Sequence, residues 1–321
     1  MISFIIIGRN EGWKLTKCLK SVFNTITFNK LENYEVIFID SNSQDDSINR
    51  AKIFSEVRIY KLIEDYNAAI ARNLGAQKSN GELFFFIDAD MEIMPNFLRL
   101  VYDENHGLYS NFISGRLINY YYNSDAQLVS QDIYNKSNND RIESTTGGLF
   151  LITRDNWNLI EGMRNVFNKS QDIDLALRLA KRNIFLTRKK EIAAIHHTIP
   201  YKGNLRIWKD FINKNHLYAR SLLYRKNILN FYMYKRLVRN DYTLIILFLL
   251  TIISLVFKDL ILMNLYFFVL LIRTLNIKKK ESSTNILSLI IFYMLRDVTT
   301  FIGFFIFFPK TKFKIKFRTI L

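Results

Sequence analysis

The sequence predicts an α/β fold with a mainly parallel sheet, followed by a basic and apolar C-terminal part. Three observations carry that reading. Short apolar runs alternate with helix-like stretches over residues 1–90. The runs close on polar residues (Arg9, Asn10, Asp40, Asp88 and Asp90), which an alternating topology gathers at the carboxyl edge of the sheet, where such sheets bind ligands. The charge is lopsided: residues 1–200 hold 24 Lys+Arg and 24 Asp+Glu, whereas residues 201–321 hold 21 and 5 and carry the whole formal charge of +16.

The elements follow in order. Ile2–Ile7 is continuous and β-branched, the pattern of a strand buried on both faces. Gly12–Phe23 has helical spacing, with Trp13, Leu15, Leu19, Val22 and Phe23 on one side. Glu35–Ile39 is the second strand and ends at Asp40; Ser43 or Asp45 then suits a helix cap. Val57–Tyr60 is a third strand, Asn67–Gln77 a helix and Leu83–Ile87 a fourth strand. Further on, Phe112–Asn119, Gly148–Thr153 and Ile192–His197 read as strands and Ile173–Lys181 as a helix, while the polar segment Asn123–Glu143 reads as a loop. Three domains are expected: 1–204 catalytic, 205–240 basic interfacial helices, and 241–321 membrane helices with a basic tail.

The C-terminal part changes character. Leu205–Arg239 mixes aromatic and basic residues with few acids, as interfacial helices do. Tyr242–Phe257, Leu260–Ile272 and Ile286–Phe308 are apolar, with 16, 13 and 23 residues, against the ~20 that a span needs. Arg296-Asp297 sits inside the third, so it faces protein or water, either as a buried pair or against a lipid-linked phosphate. Basic clusters at Arg220–Arg239, Lys278–Lys280 and Lys310–Arg318 all belong in the cytoplasm by the positive-inside rule. The expected topology is one hairpin across the bilayer and a third segment that is re-entrant or interfacial. Ile2–Ile7 is too short for a signal peptide, so the catalytic part is expected on the cytoplasmic face of the cell membrane. Basic charge beside apolar runs points to an anionic membrane and away from nucleic acid, because the α/β part is neutral. Cys18 is the single cysteine, which excludes an intrachain disulfide and a Cys-based zinc site.

Chemistry concentrates at Asp88-Ala89-Asp90, directly after the apolar strand Leu83–Ile87. Two carboxylates at the end of a buried strand are costly unless a cation sits there. Mg²⁺ or Mn²⁺ bound to a nucleotide diphosphate meets that need through oxygen ligands. The chain has no Gly-x-Gly-x-x-Gly and no Gly-Lys-Ser/Thr loop, so a metal is expected to hold the phosphates where backbone amides do not.

These motifs, taken in order, resemble family-2 glycosyltransferases, the inverting enzymes of GT-A fold, a Rossmann-like architecture. The resemblance covers about residues 1–200. It rests on Ile5–Glu11 with its Asn-Glu pair, Glu35–Asp45 with its Asp-rich turn, Ala71-Arg72-Asn73-Leu74-Gly75 and Gly81-Glu82 before the Asp-x-Asp, Gly147-Gly148, and Gln171–Leu175 with Arg178. The resemblance implies a nucleotide-sugar donor. It implies that Asn10 and Glu11 line the nucleoside pocket, that Asp40 bonds the nucleobase and that Arg72 meets the diphosphate. Asp88 and Asp90 would ligate the metal, with Asp88 also near the ribose. His196, at a strand end, is a further metal ligand, and Gly148 lets the chain pass close to the sugar. Asp172 is the general base, with Asp174 its neighbouring alternative; an inverting transfer needs one carboxylate to take the acceptor hydroxyl's proton. Trp157 and Trp208 suit sugar stacking, the membrane interface or plain packing. Processive synthases of the family carry Gln-x-x-Arg-Trp; here Asn204–Trp208 lacks it, which favours one sugar per encounter. The implied acceptor is a lipid-linked glycan or a polyprenyl phosphate. A processive synthase and a catalytically inactive membrane scaffold are the alternatives.

Overall fold

The computed structural model describes residues 1–134, 137–199, 218–278, 285–311, 313 and 315–321. Two compact units emerge. The first comprises residues 1–167, 171–200 and 310–321; the second comprises 168–170 and 201–309.

The first unit is built on a sheet whose central strands are Ile2–Gly8 (β1), Tyr34–Asp40 (β2), Val57–Glu64 (β3) and Leu83–Asp88 (β4). These four run parallel, in the order β4-β1-β2-β3. Alternation along β1 explains the two layers. Ile2, Phe4 and Ile6 pack with Leu15, Leu19 and Val22 of helix α1 (Trp13–Phe28) on one face. Ile5 and Ile7 pack with Ile70 and Leu74 of helix α3 (Ala68–Lys78) on the other. A strand covered on both sides has no polar alternation, as its sequence shows. Asn67 caps α3 by accepting from the Ile70 amide at 2.9 Å. Helix α2 is Ser47–Ala51; the Asp45 carboxylate accepts from the Ser47 amide at 3.1 Å, and Asp46 holds the cap position.

Beyond β4 the sheet becomes mixed. Met91–Ile93 (β5), helix Pro95–Val101 (α4) and the small hairpin Tyr102–Asp103 (β6) with Gly107–Leu108 (β7) lead to Phe112–Tyr122 (β8). The expected loop Asn123–Glu143 contains two strands, Leu128–Tyr134 (β9), antiparallel to β8, and Arg141–Glu143 (β10). Its residues are largely solvent-exposed, so neither face demanded the apolar alternation that marks a buried strand. Leu149–Thr153 (β11) lies antiparallel on β4, followed by helices Arg154–Leu159 (α5) and Gln171–Ala180 (α6). Leu186–Thr198 (β12) pairs in parallel with β8 and antiparallel with β5.

The basic tail departs from the expectation that grouped it with the membrane segments. Lys316–Thr319 (β13) adds an antiparallel strand to β3. Phe313, Ile315 and Phe317 alternate with polar positions and pack against the core beneath α3, which is the period-2 signal of a strand.

The second unit contains the helices Ala219–Lys226, Phe231–Asn240, Tyr242–Phe257, Met263–Lys278 and Ile286–Ile306. Leu247, Leu250, Tyr266 and Leu270 form its core, with Tyr293 and Met294 against them. Arg296 lies 3.0 Å from Asp241, and Asp297 accepts from the Thr243 hydroxyl, so this charged pair is engaged inside the bundle. Among the described residues one helix, Ile286–Ile306, is long and apolar enough to cross a membrane; Phe231–Asn240 and Tyr242–Phe257 meet at 93° and pass that test only together. Trp208 and the start of the interfacial segment, residues 205–217, lie outside the described residues.

Candidate active site

Register brings the first candidates together. Gly8 pairs with Asp40, and Ile7 with Asp88, so β2 and β4 flank β1 with their acidic ends level. Two strand spacings, about 10 Å, separate Asp40 from Asp88.

The loops after β1 and β2 are latched to each other. Asn10 and Asn42 both take positive φ, 58° and 61°, a conformation that asparagine tolerates better than most residues. The Asn10 amide donates to Ser43 Oγ at 2.8 Å, and Asn10 Oδ1 accepts from the Gln44 amide at 2.8 Å. The Glu11 and Gly12 amides both donate to Ser47 Oγ. The Asn10 side-chain oxygen therefore serves the loop pair, while the residue itself is exposed. Asp40 is fully buried; Oδ2 accepts from the Ser43 amide at 2.9 Å, and Oδ1 has no partner among the described residues.

Asp88 is gripped from behind. Arg72 Nη2 donates to Asp88 Oδ1 at 2.5 Å. Arg72 is 2% exposed and its Nε and Nη1 have no partner among the described residues. It sits behind Asp88 and not on the open rim, which corrects the implied diphosphate contact. The Asp88 amide donates to the Gly148 carbonyl at 2.9 Å. A Cβ at Gly148 would lie 2.2 Å from Asp88 Oδ2, so only glycine leaves this carboxylate its place.

Asp90 Oδ1 is buried and has no partner among the described residues, while Oδ2 lies 3.2 Å from His196 Nε2. His196 Nδ1 is 2.9 Å from Asn119 Oδ1. His197 points elsewhere: it is fully buried, with Nδ1 on the Tyr122 hydroxyl at 2.9 Å and Nε2 on Glu92 at 3.0 Å.

Crowded carboxylates leave an electrostatic signature. Burial, then Asp90, and more weakly Asp88, push the Glu11 carboxyl up to about 7 against the pull of Lys14. Burial pushes Asp88 up to about 6; Arg72 opposes this, Asp90 adds to it, and Asp172 is near enough to add to it too. Burial works against protonation of His196, but the Asp90 carboxylate more than offsets it and the pKa is raised. Each of these groups resists further negative charge and welcomes a cation.

Whether these residues fit a divalent metal follows from the donors. Among the described residues no three His, Cys, Asp or Glu side chains form a ready-made cage. Mg²⁺ used with nucleotides does not need one: it takes one or two carboxylates, with phosphate oxygens and water completing the shell. A buried Asp90 oxygen without a partner, beside Asp88, supplies that minimal set, so the donors fit.

Asp172 sits in the first turn of α6 and accepts from the Thr145 hydroxyl through Oδ2. Asp174, the alternative, is fully buried between Arg164 Nη1 at 2.8 Å and Arg178 Nε at 2.9 Å. Arg178 also donates to the carbonyls of Ile160 and Gly162. Asp174 is thus committed to holding the loop before α6, and Asp172 is the carboxylate that remains for chemistry. Trp157 is 4% exposed and packs against Phe86 with tilted rings, centroids 4.6 Å apart, which is a packing role. Sequence reasoning missed Thr145, Asn119 and Asp132; Asn119 did stand at the end of a recognised strand, the one signal available.

A model of Glycosyl transferase family 2 matches residues 3–185. The chain belongs to this family. It is 28% identical over 153 residues to the poly(ribitol-phosphate) beta-N-acetylglucosaminyltransferase TarP of Staphylococcus aureus, covering 46% of this chain and 45% of that protein. It is 37% identical over 93 residues to the glycosyltransferase AglE of Haloferax volcanii, covering 28% of this chain and 30% of that one. The chain thus spans less than half the length of these curated relatives. Among solved structures, GalNAc-T7 with UDP, GalNAc and Mn²⁺ aligns with a TM-score of 0.49 at 14% identity, covering 69% of this chain and 50% of the other.

Proposed function

We propose that the protein is a metal-dependent inverting glycosyltransferase. It moves a sugar from a nucleoside-diphosphate sugar to a membrane-associated acceptor, either a lipid-linked glycan or a polyprenyl phosphate. One observation carries the reading: a cation-seeking cluster of Asp88, Asp90 and Glu11 shares a rim with a separate carboxylate, Asp172, oriented by Thr145.

The residues divide the work. Asp90 and Asp88 would hold Mg²⁺ or Mn²⁺, with His196 beside Asp90 and Arg72 fixing Asp88. The ion, when bound, supplies Lewis-acid stabilisation of the departing diphosphate. The unpartnered Oδ1 of Asp40 suits an N–H of the nucleobase. Thr145 engages Asp172 Oδ2 and leaves Oδ1 for the acceptor hydroxyl. Asp172 takes that proton as the oxygen attacks the anomeric carbon, the bond to the diphosphate breaks and the configuration inverts.

Membrane attachment draws support from the second unit's surface. Leu255, Phe257, Phe268 and Phe305 are 73%, 72%, 60% and 55% exposed on its helices, large apolar side chains that water does not favour. The helix Phe231–Asn240 adds Lys235 and Arg239 beside exposed Phe231 and Val238. The tail strand constrains topology. Because β13 belongs to the same sheet as β1, a membrane-anchored chain would leave and re-enter that unit on one side of the bilayer, and residues 201–309 would cross an even number of times. A hairpin plus a non-crossing third segment meets that condition, with the catalytic unit on the cytoplasmic face.

A thermal-shift panel of nucleotide sugars, with and without Mn²⁺, tests the donor reading. One nucleotide sugar is expected to raise Tm only with Mn²⁺, by the equivalent of about 2.7 kcal/mol at a hundredfold excess over Kd. No response to any of them removes the reading. Equal turnover of a water-soluble and a lipid-linked acceptor would remove the membrane acceptor.

A further inference from the structure

His196, Asn119 and Asp132 are direct neighbours across three strands. The register of β12 on β8 pairs His196 with Asn119, and that of β8 on β9 pairs Asn119 with Asp132. Residues paired in this way project to the same face of a sheet, so the three side chains form one row, running from exposed Asp132 to Asp90 at the rim. The row is hydrogen-bonded throughout. Asn119 Nδ2 donates to Asp132 Oδ1 at 2.9 Å, Asn119 Oδ1 meets His196 Nδ1 at 2.9 Å, and His196 Nε2 lies 3.2 Å from Asp90 Oδ2. The Tyr121 hydroxyl donates to the same Asp132 oxygen at 3.2 Å.

Chemistry gives the row a direction. A carboxylate only accepts, so Asp132 dictates which end of the Asn119 amide faces it. The amide oxygen is left for His196, and because it too only accepts, the proton must sit on Nδ1. Nε2 is then the nitrogen turned to Asp90, and because that carboxylate too only accepts, Nε2 also carries a proton until a cation takes that place. We propose that Asn119 and Asp132 are positioning residues, which lock the His196 ring with Nδ1–H on Asn119 and present Nε2 to Asp90 and the cation held there. Metal-bound histidines depend on such outer partners for ring orientation and basicity. What Nε2 meets rests on the metal-dependent reading above; the ring lock does not.

The test uses the full chain in nanodiscs. ¹⁵N spectra of the histidine rings in metal-free protein, assigned by the signals lost in His196→Gln, report the ring state, and Mn²⁺ affinity is read by electron paramagnetic resonance. Wild type is expected to show His196 with a hydrogen-bonded Nδ1–H, whichever state Nε2 holds. Asn119→Leu, similar in size but unable to hydrogen-bond, is expected to lose that signature and bind Mn²⁺ about 10- to 100-fold more weakly. Asn119→Asp sets two carboxylates face to face and is expected to be equally weak. The double variant Asn119→Asp/Asp132→Asn is expected to restore both readouts, since the new carboxylate accepts from His196 and from the new amide. A double variant no better than Asn119→Asp overturns the proposal even if Asn119→Leu misfolds. A locked wild-type ring that binds no Mn²⁺ sinks the metal reading and leaves the lock standing. Unchanged ring signals and Mn²⁺ affinity in folded Asn119→Leu sink the lock and leave the metal reading standing.

Discussion

Replacing Gly148 with alanine would put a methyl carbon 2.2 Å from Asp88 Oδ2 and 2.7 Å from Met91 Cε. Ordinary contact begins at 3.4 Å, so against the carboxylate the shortfall is 3.4 minus 2.2, about 1.2 Å. Met91 ends in a flexible methyl and can swing away. Asp88 cannot, because Arg72 holds its other oxygen at 2.5 Å and its amide is bonded to Gly148 itself. Gly148 does not have positive φ, so the backbone accepts alanine and the whole effect is the clash. Overpacking of this kind costs about 1–3 kcal/mol. A carboxylate displaced by roughly 1 Å costs about a hundredfold in rate. The expected result is a folded protein with Tm a few degrees lower and kcat/KM for sugar transfer down about a hundredfold, with Mn²⁺ binding weakened in parallel. Gly147→Ala is the control: its φ of +68° makes alanine strained by about 1–2 kcal/mol, but no atom lies within 4 Å of the new methyl. It should lose stability and keep most of its activity. Wild-type kcat/KM in Gly148→Ala, or equal damage from both variants, would refute the placement of Asp88 at the reacting centre.

Other outcomes follow from the same geometry. Asp172→Asn is expected to lower transfer about 10²- to 10⁴-fold with donor affinity unchanged, by kinetics and titration calorimetry; near-normal turnover removes Asp172 from the role of base. Asp174→Ala leaves Arg164 and Arg178 without their shared carboxylate and is expected to cost about 3–5 kcal/mol in denaturant unfolding, a stability effect and not a kinetic one. Glu11 and Asp88 hold protons in the folded state up to about 7 and about 6, where the unfolded chain has already released them. Their contribution to stability is therefore full below about pH 4, shrinks as the unfolded chain releases its protons first, and is gone above about pH 7. Metal-free Tm should fall across that window, Mn²⁺ should cancel the fall and bind more tightly as pH rises, and Glu11→Gln should flatten the profile; a Tm that climbs with pH contradicts the cluster. Deleting residues 316–321 strips β3 of its outer strand and should lower Tm while leaving the metal-dependent donor shift in the surviving folded fraction.

Much of the first unit was legible because its signals are local. β1, β2 and β4 are buried on both faces and spell this out as mostly apolar runs ending in Gly8, Asp40 and Asp88. An alternating α/β order then puts those ends on one edge, since parallel strands return through crossovers. What periodicity could not show is what each polar side chain touches. Arg72 reads as a helix residue near the phosphates, yet its position on α3 buries it behind Asp88. Asp172 and Asp174 stand two residues apart at the start of one helix; a helix turns about 100° per residue, so one meets Thr145 and the other faces two arginines.

The sequence by itself determined the order of β1 to β4 with α1 and α3, the family and the acidic rim, because each rests on residues near one another in the chain. Only the tertiary structure decided the rest. β9 owes its existence to its partner strand at the sheet edge, since its exposed faces carry little apolar code, and β13 found its place only by pairing with β3. The row from Asp132 through Asn119 to His196 is set by register across three strands and spans residues as far as 77 apart, so no local pattern could announce it. Hydrogen-bond direction belongs to such pairings, and it is there that an ordinary asparagine acquires a definite task.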